Sequence, residues 1–154
     1  MFIPDDKYKI IVENTIVETV DIIVINDRSQ ILLWLRNNEP IKWIYHIPWG
    51  RRYKNELLND SIKRKAHEEL WIEIDINKII FLGVYDDLYS NSIYDGIDSH
   101  FSTITYIYRL DKNEEINIKK DEQHSDLKFF NLHDPIINDI IKIRIKDMKH
   151  KNII

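Results

Sequence analysis

Residues 49–72 read WGRRYKNELLNDSIKRKAHEELWI. Two features of this stretch could do chemistry. Arg51 and Arg52 follow Gly50 in a turn, and Glu68 and Glu69 stand side by side on the helix that comes after it. Lys65, Glu68 and Glu69 are spaced i, i+3 and i+4, so they share a helix face, expected to lie away from Leu58, Ile62, Ala66 and Leu70. Two adjacent carboxylates repel unless a cation stands between them. One reading is a solvated helix face, balanced by Lys63, Arg64, Lys65 and His67. The other is a divalent-ion site beside an arginine turn, suited to a diphosphate, because Mg2+ prefers few carboxylates, several waters and phosphate oxygens.

The elements that must position these residues read as mixed α and β. Thr19–Asn26 and Gln30–Arg36 are β-rich runs at hairpin distance, and Trp43–Pro48 reads as a short strand. Leu58, Ile62, Ala66 and Leu70 mark one side of a helix. Ile79–Tyr89 and His100–Leu110 read as long strands around a polar loop, and Leu127–Leu132 as a last strand. Asp134 followed by Pro135 predicts the start of a terminal helix running to about Met148, with a frayed or loosely docked tail beyond it. Strand runs with two helices point to an α+β class rather than strict β-α-β alternation.

The chain has 154 residues, consistent with one domain over 1–154. A formal charge of −4 argues against a broad nucleic-acid footprint. No apolar run is long enough for a membrane span. The N-terminal residues lack a signal-peptide layout, and the absence of cysteine excludes disulfides and thiolate chemistry. A cytoplasmic protein is expected.

The spacing Gly50, five residues, Glu56, seven residues, Arg64, then Glu68, Glu69 and Ile72 resembles the Nudix signature, G-x5-E-x7-R-E-U-x-E-E-x-G-U, where U is a bulky aliphatic residue. Lys65 stands where that family has its first helical Glu, Ala66 fills an aliphatic slot, Trp71 stands where it has Gly, and Trp49-Gly50 replaces a Gly-Gly pair. The resemblance implies a Nudix fold, a mixed β-sheet sandwiched between α-helices. The N-terminal MF, VDIIV, LLWLRNNEPIKWIYHIPWGR and DEQHSDLKFF further resemble the GDP-mannose mannosyl hydrolase branch of that family.

That likeness implies Mg2+-dependent hydrolysis of a GDP-sugar to GDP and free sugar, with Mn2+ as an alternative ion. An ordinary Nudix pyrophosphatase attacking phosphorus, or a nucleotide-binding protein without catalysis, are the competing readings. Carried over, the metal ligands are the Trp49 carbonyl, Glu69 and Gln123, with Glu68 as a further ligand or supporting acid. His124 is the general base, Arg36 and Arg51 bind the diphosphate and stabilise the leaving group, and Asp21 matches an acid of the substrate site. Asp87 stands where the branch has a His, and Phe101 where it has a substrate-facing Tyr. Glu56 and Arg64 are expected to pair and orient the helix, Arg52 to face solvent, and His46, His67, His100 and His133 to be structural or on the surface. The partner is a nucleotide sugar, and the branch's habit implies a homodimer.

Overall fold

The computed structural model describes residues 3–70, 72–110 and 124–154. In chain order the elements are α1 (Asp5–Asn14), β1 (Val17–Ile25), β2 (Ile31–Arg36), β3 (Tyr45–His46), β4 (Trp49–Arg51), α2 (Leu58–Leu70), β5 (Ile80–Tyr89), β6 (Ser99–Arg109), β7 (His124–Phe130) and α3 (Asp139–His150). The strands form one mixed sheet with the core order β3-β2-β1-β6-β5, while β4 pairs with β1 and β7 with β2. β1 and β6 run parallel over nine residue pairs, and the other pairings are antiparallel.

The α+β expectation holds, and side-chain alternation explains the layering. Ile22 and Val24 of β1 point to one face and pack with Ile62, Ala66 and Leu70 of α2. Ile23 and Ile25 point to the other and pack with Ile141, Ile145 and Met148 of α3. A strand buried on both faces reads as a continuous apolar run, as Ile22–Ile25 does. The four-residue repeat in α2 meets the sheet as expected.

The structure adds a helix, corrects the short strand and the start of α3, and selects the docked tail. α1 carries no prediction above, yet it forms, with Asp5 and Asp6 in its first turn, where carboxylates favour the positive end of the helix dipole. It packs Tyr8, Ile11 and Val12 around Val17, Tyr89 and Phe101. The short strand predicted over Trp43–Pro48 is only Tyr45–His46, and the glycine turn after it is itself a strand, β4. α3 begins at Asp139, not Asp134: Asn138 caps it by accepting a hydrogen bond from the Ile141 N–H at 3.2 Å, and the Asp134 carboxylate instead closes a turn on the Ile136 N–H. The tail is docked. Ile153 and Ile154 pack on the α3-side core, the Lys151 ammonium donates to the Leu82 carbonyl, and Arg109 donates to the Ile153 carbonyl.

Candidate active site

Strand pairing sets the geometry of the Gly-Arg segment. Asp21, Val20 and Thr19 of β1 lie opposite Trp49, Gly50 and Arg51 of β4. Neither Trp49 nor Gly50 has a positive φ, so Trp replaces the family's Gly without left-handed backbone. Gly50 instead leaves room for a side chain of α2. A Cβ there would overlap Lys65 Cε and lie 2.7 Å from its Nζ, so the lysine stem runs directly against the β4 main chain.

The Glu56–Arg64 pair forms as expected. Arg64 donates through Nε and Nη2 to the two Glu56 oxygens at 2.6 and 2.9 Å, and through Nη1 to Glu68 at 3.1 Å. It also donates to the Arg51 carbonyl at 3.1 Å, which ties α2 to β4. These bonds hold the Glu56 carboxyl below its ordinary pKa. Arg52 does not simply face solvent: it is half-buried, paired with Glu18 and donating to the Glu56 carbonyl at 2.9 Å.

Above this frame lies a cavity of about 560 Å³. Three cationic side chains line it: Arg36, Arg51 and Lys65. Arg36 ends β2 at a register irregularity with β7, donates to the Pro40 carbonyl at 3.3 Å and stacks 4.9 Å from the Trp49 ring centre. Burial pulls its pKa below the ordinary arginine value, against the pull of Glu69 and Tyr89. Arg51 lies over Tyr8 of α1 at 5.2 Å and Tyr53 at 5.4 Å. Trp49 meets the edge of Phe101 at 4.8 Å, so the cavity has aromatic walls beside its cations.

The two acids of α2 part company. Glu69 is 4% exposed and lines the cavity, whereas the Glu68 side chain is 42% exposed. The solvated-face reading therefore fails for Glu69, because the helix edge carrying it is covered by β4 and the cavity wall. Lys65 joins both acids, ion-paired to Glu69 Oε1 and 3.4 Å from Glu68 Oε2. Burial is the largest influence and alone would lower the Lys65 pKa, but the charges and hydrogen bonds of Glu69 and Glu68 together outweigh it and the ammonium is held above its ordinary value.

Among the described residues no three His, Cys, Asp or Glu side chains gather to hold a metal. One buried carboxylate facing a cavity beside the β4 main chain is a donor set suited to a single hard cation completed by waters and phosphate oxygens, not to a cluster. Gln123 lies outside the described residues. His124 opens β7, and its main chain pairs with that of Arg36, which brings the start of β7 to the cavity residue Arg36.

Asp21 is not on the cavity wall. It is fully buried on the α3 side, because residue 21 shares the strand face of Ile23 and Ile25. There it meets Arg144, a residue that carries no prediction above. Arg144 is 1% exposed, lies 3.5 Å from Asp21 and donates to Asp87 at 2.6 Å. Asp87 also accepts from Thr103 at 2.7 Å, and Thr103 bonds Thr19 on the cavity wall at 2.9 Å. Burial lifts the Asp21 carboxyl well above its ordinary pKa, with Arg144 opposing. Asp87 is thus a buried partner of Arg144, while Phe101 does line the cavity. An Asp spaced in register with an inward-pointing Arg on an otherwise apolar helix face was the available signal for this ion pair. His46 is buried and structural, its Nδ1 3.1 Å from the Ile47 carbonyl, and burial lowers its pKa to about 3. His67 is exposed, and His100 pairs with Asp86 at 3.0 Å.

Comparison with known proteins agrees with this layout. A family profile described as NUDIX domain matches residues 15–149. The chain is 38% identical over 129 residues to the low-salt glycan biosynthesis protein Agl8 of Haloferax volcanii, spanning 83% of this chain and 79% of that protein. It superposes on the MutT NUDIX hydrolase from Burkholderia pseudomallei with a TM-score of 0.69 at 20% identity, covering 87% of this chain and 98% of the other. The MutT protein from Methanosarcina mazei gives 0.70 at 14% identity, covering 88% and 94%. The NUDIX domain of Shewanella oneidensis NrtR, solved with ADP ribose, gives 0.64 at 19% identity, covering 97% and 99%.

Proposed function

Since this chain belongs to the NUDIX family, we propose that it hydrolyses a nucleotide sugar, GDP-mannose or a close GDP-hexose, to GDP and free sugar by attack at the anomeric carbon. The observation that carries this reading is the convergence of Arg36, Arg51 and Lys65 on one cavity that holds a single buried α2 carboxylate. Charge develops on diphosphate oxygens when a nucleotide leaves. Guanidinium groups fixed where that charge appears favour the transition state over the bound substrate. Arg36 is braced by Pro40 and Trp49, and the Arg51 main chain by Arg64, so both are positioned before substrate arrives.

In the step itself, water's oxygen bonds to the anomeric carbon and its proton passes to His124. The bond from that carbon to the β-phosphate oxygen breaks, and its electron pair stays with GDP. His124 suits the base role because imidazole titrates near neutrality, and the pairing of its main chain with Arg36 supports its nearness to the diphosphate site. Members of this family generally use divalent ions such as Mg2+ or Mn2+. In this reading the Trp49 carbonyl, Glu69 and Gln123 hold one such ion, which when bound adds positive charge at the diphosphate. Asp21 acts from behind the wall, through Arg144, rather than on the substrate. The relative's part in glycan biosynthesis favours a sugar nucleotide, and the same reading carries a cytoplasmic homodimer.

The test is hydrolysis of GDP-mannose in oxygen-18 water with mass analysis of both products. Label on the sugar, with inverted anomeric configuration, is expected. A second reading, a pyrophosphatase attacking phosphorus, is favoured by one observation: Glu68 and Glu69 both reach a single cation. Label in a nucleoside monophosphate or sugar phosphate would select it. Binding without turnover across a nucleotide-sugar panel would overturn both.

A further inference from the structure

Lys65 occupies an unusual place for a helix-surface lysine. Its stem could carry the ammonium into solvent, yet it lies against Gly50, where a Cβ would come within 2.7 Å of Nζ. Only 14% of its side chain is exposed, and the ammonium sits between Glu69 and Glu68 on the wall of the cavity. Glu69 is thus already neutralised by a cation supplied by its own helix, one turn away. A divalent ion on the same carboxylate would stand within a few ångströms of that ammonium, and since Glu69 and Lys65 are both largely buried, their like-charge repulsion is screened less than in bulk water.

We infer that the Lys65 ammonium and a divalent ion are alternative occupants of Glu69, so that the substrate-free protein holds the lysine there and a metal enters only with the diphosphate. This deepens the reading above and rests on its metal site. The incoming diphosphate brings negative charge that attracts both cations. The divalent ion takes Glu69, and the displaced ammonium, still on the cavity wall, turns to a phosphate oxygen. Metal and nucleotide therefore bind with positive coupling, and each raises the affinity for the other by the same factor. Gly50 is the backbone feature that lets the lysine reach this position.

The experiment measures Mn2+ affinity by electron paramagnetic resonance of the free ion, without nucleotide and then with GDP. It compares the wild type, Lys65→Met and Lys65→Arg. Without GDP the Met variant is expected to bind Mn2+ about tenfold more tightly or better, because a buried positive charge has been removed from the site, while the Arg variant stays close to wild type. GDP should tighten Mn2+ binding in the wild type much more than in Lys65→Met. Equal Mn2+ affinity and equal GDP coupling in all three proteins would overturn the competition. Absence of Mn2+ binding in all three, with and without GDP, would instead overturn the metal site itself. A second measurement needs no variant: the ammonium nitrogen resonance of Lys65 in the wild type should shift when Mg2+ and GDP are added together. A resonance that stays fixed while both bind would refute the displacement.

Discussion

Replacing Arg144 with Met is the sharpest structural test of how the cavity is supported. Arg144 is fully buried, donates to Asp87 at 2.6 Å and lies 3.5 Å from Asp21, which is itself fully buried. Met fills much of the space but leaves two carboxylates facing each other without a cation. Removing one partner of a buried ion pair costs about 3–5 kcal/mol, because the remaining charge stays desolvated. For a chain of this size each kcal/mol shifts Tm by about 2–4 °C, so Arg144→Met should melt about 6–20 °C below wild type. The sign of the pH dependence follows from Asp21. A carboxyl whose folded pKa is raised takes up protons in the folded state before the unfolded chain does, so folding gains stability as pH falls through that folded pKa. The deficit of Arg144→Met should therefore narrow as pH falls from neutrality. Adding Asp21→Asn and Asp87→Asn should recover part of the lost Tm, since the uncompensated charges go with them. Thermal melts by circular dichroism across pH give all of this. A Tm within about 2 °C of wild type, or a deficit independent of pH, would refute the assignment of Arg144 as counter-ion to both acids.

Three other outcomes are expected. His124→Ala should lower kcat by about 10²–10⁴-fold and abolish the acid limb of the pH–rate profile, and an unchanged profile would remove His124 from the reaction. Arg36→Lys should weaken GDP binding by about 10-fold or more, because a lysine reproduces neither the stacking on Trp49 nor a planar fork for phosphate oxygens; isothermal titration reads this, and wild-type affinity would contradict it. His46 titrates at about 3 in the fold against 6.5 unfolded, so its contribution is present above about pH 6.5 and is lost as pH falls toward 3. Its slope is at most about 1.4 kcal/mol per pH unit, and His46→Gln should flatten urea-derived stability over that window; a slope unchanged in the variant would show that His46 is not buried neutral.

Much of the scaffold was legible in the amino-acid order because its signals are local. Strands β1, β2, β5 and β6 announce themselves as β-branched or aromatic runs, and α2 by its four-residue apolar repeat. The Glu56–Arg64 pair and the Arg64–Glu68 contact also follow from spacing, since they depend on turns of one helix and the loop just before it. α1 is shorter and weaker in pattern, and its existence depends on packing Tyr8, Ile11 and Val12 against β6 and β5, which lie far along the chain.

The site divides along the same line. Sequence alone picks out Arg36, Arg51, Glu68 and Glu69 as candidates, but adjacent helical positions differ by about 100° in direction, and only packing decides that Glu69 turns into the cavity while Glu68 stays at the surface. Sequence alone shows Lys65 where an acid is usual, yet its contact with Gly50 exists only because β4 pairs with β1 and brings its main chain across α2. Asp21 reads as a site acid, and tertiary structure buries it beside Arg144 and off the cavity lining, although Thr19, on the same face of β1, does line the cavity. Composition and spacing select the kinds of charge a chain can deploy. Which of those charges meet, and how dry the place is where they meet, is settled by side chains from distant segments closing over them.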